Sequence, residues 1–305
     1  MGSLSTANVE FCLDVFKEMN NSNVGDNIFF SPLSLLYALS MILLGARGNS
    51  ADQMQKVLHF NHIVESLKPE FKNSPQCSQA GRIHSELGVL FSQINQPDSN
   101  YTLSIANKLY GTETMAFHEG KSVIVEMMHQ TGTFKLAFIK EPKMLVLELP
   151  YVNNKLNMII LLPKGTTNLE QVEKQLNVRT FHRWTSSANM LEREVEVHLP
   201  RFKLEVKYEL NSLLKSLGMT DLFNYGKADL SGMSPATGLY LSKVIHKSYL
   251  DVSEEGTEAA GATGDSISVK RLPIRARFMA NRPFLFFIRH VHSNMILFCG
   301  KLASP

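Results

Sequence analysis

The sequence predicts an α+β fold, and three observations carry that prediction. Over roughly the first third of the chain, apolar side chains recur at helical spacing. From residue 122 onward, short alternating segments follow one another between Gly, Pro and Asn-Asn punctuation, the mark of mostly antiparallel strands. The composition is that of an ordinary globular protein, with 305 residues, 44% apolar and 19% charged. That is enough to bury one large core or two smaller ones. Helices first and strands afterwards, rather than alternating, is the α+β order.

Val9, Cys12, Val15, Phe16 and Met19 share one face of an opening helix. Asp26-Asn27 marks a turn before the apolar run Ile28 to Phe30. Pro32 suits a first helical turn, and Leu33 to Ala46 reads as a buried helix ending near Gly48. Ser50 is placed to cap a further helix through Phe60. Residues 61 to 82, polar with Pro69 and Pro75, read as a surface linker, and Gly81 to Ile94 as another helix. Thr102 to Tyr110 alternates as a half-buried strand. Strands are then predicted at Ser122 to Met128, Thr133 to Lys140, Leu145 to Leu149 and Leu156 to Leu162. Leu169, Val172 and Leu176 mark a short helix. Val195 to Leu199 and Phe202 to Val206 read as one long strand broken by Pro200. Leu210 to Leu217 is a helix stopped by Gly218, Leu239 to Leu250 a strand, and Pro283 to His290 with Met295 to Gly300 a closing hairpin. No internal repeat or low-complexity tract stands out.

Several function classes are set aside by what the chain lacks. A net charge of +3 on 31 basic and 28 acidic residues is too even to argue for nucleic acid or an anionic membrane. The local basic group Lys270, Arg271, Arg275 and Arg277 is read as protease bait rather than as a phosphate or heparin patch. The first residues carry no secretory pattern, and the apolar run Leu33 to Leu44 is too short to span a bilayer. Three cysteines, Cys12, Cys77 and Cys299, fit a reducing compartment. A cytoplasmic monomer is expected, with leaderless release open. Gly-x-Ser-x-Gly, His-Glu-x-x-His and phosphate-binding glycine loops are absent, so an enzyme is the weakest class. His290 and His292 alternate on a strand without a third ligand, so neither a metal nor a cofactor is expected.

The stretch Glu254-Glu255-Gly256-Thr257-Glu258-Ala259-Ala260-Gly261-Ala262-Thr263-Gly264 is the most informative in the chain. A solvated loop has no need of side chains that small, and a helix would be weakened by glycines so close together. The composition suits a segment that sits outside as a loop yet can be threaded as a strand into a crowded sheet. Val269-Lys270-Arg271-Leu272-Pro273 follows it, and a trypsin-like protease would cut there. A small-residue hinge followed by bait resembles the reactive loop of the serpin family. Asn27-Ile28-Phe29-Phe30-Ser31-Pro32-Leu33-Ser34 resembles the family's strand-to-helix segment, and Phe278 to Ile288 its C-terminal signature. The ending Phe298 to Pro305 resembles the ovalbumin-like clade.

The resemblance implies one serpin domain over residues 1–305, an exposed loop at about 254–277, and a suicide-substrate mechanism. The serine protease forms an acyl-enzyme on the loop, which then inserts as a new strand and distorts the protease before deacylation. Family spacing puts the offered bond after Lys270, with Arg271 the adjacent alternative, and the hinge at Glu254 to Ala262. It gives Asn27, Ser31 and His246 as support beneath the sheet, His246 being either a pH-sensitive latch or a hydrogen-bonded core histidine. Two features oppose inhibition. With Thr257 facing inward, period-two alternation also buries Ala259, Gly261, Thr263, Asp265, Ile267 and Val269. Gly261 there costs about 0.5–1 kcal/mol against alanine, and burying Asp265 unpaired costs more. The chain is also shorter than complete serpins, and the deficit falls near His118-Glu119-Gly120. That would remove two strands of the main sheet and leave it incomplete. The alternative is therefore a non-inhibitory serpin-fold substrate or binding protein.

Overall fold

Helices, an eight-stranded sheet and a two-stranded sheet stack in that order in the computed structural model, and apolar side chains fill both spaces between the layers. The model describes residues 2–22, 25–61, 63, 76–94, 126–151, 154–234, 238–253 and 275–304. The elements run α1 Gly2–Ser22, β1 Ile28–Phe30, α2 Pro32–Gly45, α3 Gly48–Val57, α4 Gln76–Ile94, β2 Met127–Ile139, β3 Met144–Pro150, β4 Leu156–Pro163, α5 Leu169–Gln175 and α6 Val178–Trp184. They continue with β5 Leu191–Pro200, β6 Phe202–Glu209, α7 Asn211–Leu217, β7 Ile245–Val252, β8 Ala276–Met279, β9 Phe284–His290 and β10 Ile296–Leu302.

The large sheet has the order β1-β10-β9-β4-β3-β2-β5-β8. All its pairings are antiparallel except β5 with β8. Every residue of β4 is buried because the strand is covered on both faces. Ile159 and Leu161 face the helical core with Phe11, Phe16 and Leu36. Met158, Ile160 and Leu162 face the second core with Phe202, Leu204 and Val252 of the small sheet. Pro32 opens α2, and the Ser31 hydroxyl accepts from the Ser34 backbone N–H at 3.2 Å as its cap. That helix is apolar nearly all round because it lies inside the helical layer. Gly300 of β10 lies against the ring of Phe286 on β9, where a Cβ would collide with the ring.

Several sequence expectations are corrected. Residues 122–125 lie outside the described residues, but the end of the strand expected at 122–128 and the strand expected at 133–140 meet in one strand, β2, because Met127 to Leu136 form an unbroken ladder with β5 and Gly132 simply pairs with Val195. Pro200 does not interrupt a single strand. It ends β5, and the chain crosses there from the large sheet to the small one. Ser50 does not cap α3, which starts at Gly48; its hydroxyl accepts instead from the Asp229 N–H at 3.0 Å. The linker expected over 61–82 gives way to helix from Gln76. β7 starts at Ile245 rather than Leu239, because the Leu241 N–H is spent on the Leu222 carbonyl and the Val244 N–H on Asn211 Oδ1. Helix α6 was missed, although Asn177 and Thr180 cap it reciprocally. The expected strand at 102–110 lies outside the described residues.

Candidate functional site

The small sheet and the outer edge of the large one hold the two ends of the segment that the sequence singles out. β7 delivers the chain to residue 253 and pairs along its whole length with β6, from Ile245 against Glu209 to Val252 against Phe202. Among the described residues β6 is its sole strand partner. β8 receives the chain at Ala276 and pairs in parallel with β5, from Val195 against Ala276 to His198 against Met279. The strands on either side of residues 254–274 therefore stand in different sheets. Ala276 and Arg277, expected in the loop's tail, are the first residues of β8. Arg275 Nε donates to Glu194 Oε1 at 2.7 Å, and Arg277 Nη2 lies 3.7 Å from Glu196 Oε1. These two arginines of the basic group are thus engaged with β5.

Alternation along β7 turns His246, Ser248 and Val252 inward and Lys247, Tyr249 and Asp251 outward. The outward side chains meet β6 through Lys247 with Glu205 at 2.7 Å and Lys203 stacked 5.1 Å over the Tyr249 ring. Inward, the Ser31 backbone N–H donates to His246 Nε2 at 2.9 Å, and the Ser248 hydroxyl lies 2.8 Å from the same nitrogen. A nitrogen that accepts from a backbone N–H carries no proton, so His246 is the neutral tautomer protonated on Nδ1. Nδ1 is buried with no hydrogen-bond partner among the described residues. Desolvation lowers the His246 pKa to about 4, so the ring stays neutral at physiological pH. This contact ties the strand leading to the loop onto the start of α2.

Asn27 serves a different seam. Its Oδ1 accepts from the N–H groups of Ala303 and Ser304 at 2.7 and 3.0 Å, and its Nδ2 donates to the Ser304 carbonyl at 2.7 Å. The structure thus joins Ser31 to His246 and Asn27 to the end of β10. What the described residues offer is two strand ends, standing in different sheets on either side of residues 254–274.

A family model described as Serpin (serine protease inhibitor) matches residues 6–120 and 112–305. The chain belongs to the serpin family. It is 63% identical over 392 residues to Serpin B11 of Homo sapiens, with 100% of both chains covered. It is 37% identical over 396 residues to leukocyte elastase inhibitor of Equus caballus, again with 100% of both covered. Uncleaved ovalbumin is similar in structure, with a TM-score of 0.74 at 31% identity over 100% of both chains. The chain is thus an ovalbumin-like serpin, in a family of protease inhibitors rather than catalytic enzymes.

The serpin assignment gives the two strand ends their meaning, while the hinge Glu254 to Ala262, Asp265 and the bait Lys270-Arg271 lie outside the described residues, as does the junction near His118. No helix among the described residues is long and apolar enough to cross a membrane. Sequence reasoning also missed a cluster of His129, Glu196 and His198 on the face of β2 and β5. The signal available was Glu-x-His on a predicted strand; its partner His129 becomes visible only through the register of β2.

Proposed function

We propose that this serpin presents the bond after Lys270, with Arg271 as the adjacent alternative, to a trypsin-like serine protease. The observation that carries the reading is the position of β7 and β8, which end and begin in different sheets on either side of residues 254–274. A cationic side chain at the cut bond fits a pocket with a carboxylate at its base. The hinge Glu254-Glu255-Gly256-Thr257-Glu258-Ala259-Ala260-Gly261-Ala262 supplies the small side chains that strand insertion needs. In the family's mechanism the cleaved loop joins the sheet and arrests the acyl-enzyme. The protein is read as one domain over 1–305, acting as a cytoplasmic monomer without a cofactor.

A second reading, cleavage without trapping, is favoured by a specific observation. An inserted strand would lie beside β7, and opposite β6 the described residues supply no other strand to flank it. The alignment with human Serpin B11 spans 392 positions and the chain has 305 residues, which leaves 87 positions without a counterpart. We propose that this deficit falls near His118-Glu119-Gly120. The two stretches matched by the family model, 6–120 and 112–305, overlap in that neighbourhood and support the reading.

Incubation with trypsin, followed by denaturing electrophoresis and N-terminal sequencing, separates the two. An SDS-stable complex establishes inhibition, and a clean fragment beginning at Arg271 or Leu272 establishes a substrate. A first cut elsewhere removes the bait assignment. Lys270→Ala with Arg271→Ala abolishes the early cut and leaves the thermal transition of the intact protein unchanged.

A further inference from the structure

The polar face of β2, β5 and β8 carries a constellation that loop presentation does not use. His129 on β2 stands directly opposite His198 on β5 in the antiparallel ladder. Their ring centroids are 4.7 Å apart and their planes inclined by 45°. Glu196 precedes His198 by two residues and therefore shares its face. Its Oε1 lies 2.9 Å from His198 Nε2 and 3.5 Å from His129 Nε2. One donor atom from each of the three side chains lies within 4.8 Å of the others.

Two imidazoles and a carboxylate are the donor set of zinc sites with three protein ligands, and zinc bonds of 2.0–2.1 Å put tetrahedral donors about 3.3 Å apart. The two distances to Glu196 bracket that value, so small side-chain rotations complete the geometry. Side-chain exposures of 53% for His129, 31% for Glu196 and 18% for His198 leave the cluster open to solvent on one side. The same three residues on a deeply buried face would exclude the ion, and on a mobile loop they would have no fixed spacing. Here two adjacent strands set the spacing through their backbone ladder.

We propose that His129, Glu196 and His198 form a three-donor site for a divalent first-row transition ion, with Zn²⁺ the representative member. The ion takes the Nε2 lone pairs of two neutral imidazoles, whose remaining protons sit on Nδ1, together with one oxygen of Glu196. His198 Nε2, which faces Glu196 at 2.9 Å, binds as the tautomer whose one ring proton is on Nδ1, so no proton is left on the ligating nitrogen. Water fills the open position. Arg277, now 3.7 Å from the same carboxylate oxygen, gives up that contact when the ion binds. Because β5 pairs directly with β8, the ion lies beside the strand that receives the loop.

Titrating the metal-free full-length chain with Zn²⁺ by calorimetry tests the site, with Mg²⁺ as the hard-cation control. The expected result is one Zn²⁺ per chain, no Mg²⁺ binding, and visible absorption bands when Co²⁺ replaces zinc. His129→Ala, His198→Ala and Glu196→Gln each weaken zinc by about tenfold or more, while Arg277→Ala leaves it unchanged or tighter. Absence of zinc binding by the unaltered chain at micromolar concentration overturns the proposal without any variant. So does one-to-one binding that persists at full affinity in the His129→Ala/His198→Ala double variant, because the ion then sits elsewhere.

Discussion

The two sheets are built from the same kinds of strand and differ in how many neighbours each strand has. In the eight-stranded sheet β4, β9 and β10 have strands on both sides and side chains covered on both faces. In the two-stranded sheet β6 and β7 have one partner each among the described residues, and their outer face is a row of charged and aromatic side chains. An isolated two-stranded ribbon is marginal in water, so packing must hold the small sheet. That packing comes from Phe202, Leu204 and Val252 against the large sheet and from His246 against Ser31. The large sheet is a scaffold, and the small one is held to it by packing and by this hydrogen bond.

The largest effect that distinguishes them is a core deletion in the scaffold. Phe286 on β9 is fully buried between Phe29, Phe202 and Phe284, with ring centroids 6.1, 5.5 and 6.2 Å away. Phe286→Ala is expected to destabilise the protein by about 3–5 kcal/mol in urea denaturation. Tyr249→Ala, on the outer face of β7 and half exposed, is expected to cost about 0.5 kcal/mol or less. Equal losses would mean that the small sheet carries as much of the stability as the large one, and the distinction would fail.

How much of this was legible in the sequence follows the same division. Ile28 to Phe30, Pro32, the Leu156 to Leu162 run and the closing hairpin were readable because burial on one or both faces writes a local pattern. Helix α6 was not read, because Trp184 and Phe181 anchor it through long-range packing and its cap is only Asn177 with Thr180. The crossing at Pro200 looked like a break within one strand, since alternation continues through it; only pairing partners show that the chain changes sheets. Ser31 and His246 were linked by family resemblance, and no local pattern could have joined residues so far apart. The His129 cluster needed register between β2 and β5, which periodicity alone does not provide.

A smaller effect sharpens the comparison at the fastening point. The folded-state pKa of His246 is about 4, below the ordinary value of 6.5. Folding therefore favours the neutral ring, and its contribution is fully present above pH 6.5. As pH falls from there toward 4 the unfolded chain takes up a proton that the folded chain refuses, and stability drops by on the order of 3 kcal/mol. His246→Gln, whose amide oxygen can accept from Ser31, is expected to lose this pH dependence. The stability difference between the original chain and the variant should thus narrow between pH 6.5 and 4, as read by denaturant unfolding at each pH. A difference that stays constant over that window would show that the ring is already charged or already solvated.

The smallest expected effect is the one most specific to loop insertion. A cleaved loop that becomes a strand adds a ladder of backbone hydrogen bonds on each side that has a partner. On the reading given above, β7 supplies one such side and the other is missing. Cleavage after Lys270 is therefore expected to leave the melting temperature within a few degrees of the intact protein, by calorimetry before and after limited trypsinolysis. Asp265→Ala removes the one charged side chain from the inward set expected between Thr257 and Val269. It repairs a single position, whereas a missing strand removes a whole row of partners, so the variant is expected to trap no more trypsin than the original. Trapping by Asp265→Ala alone would show that the loop finds a second strand partner in the chain. A large rise in melting temperature on cleavage would show the same for the unaltered protein, and would make the small sheet a receptive scaffold.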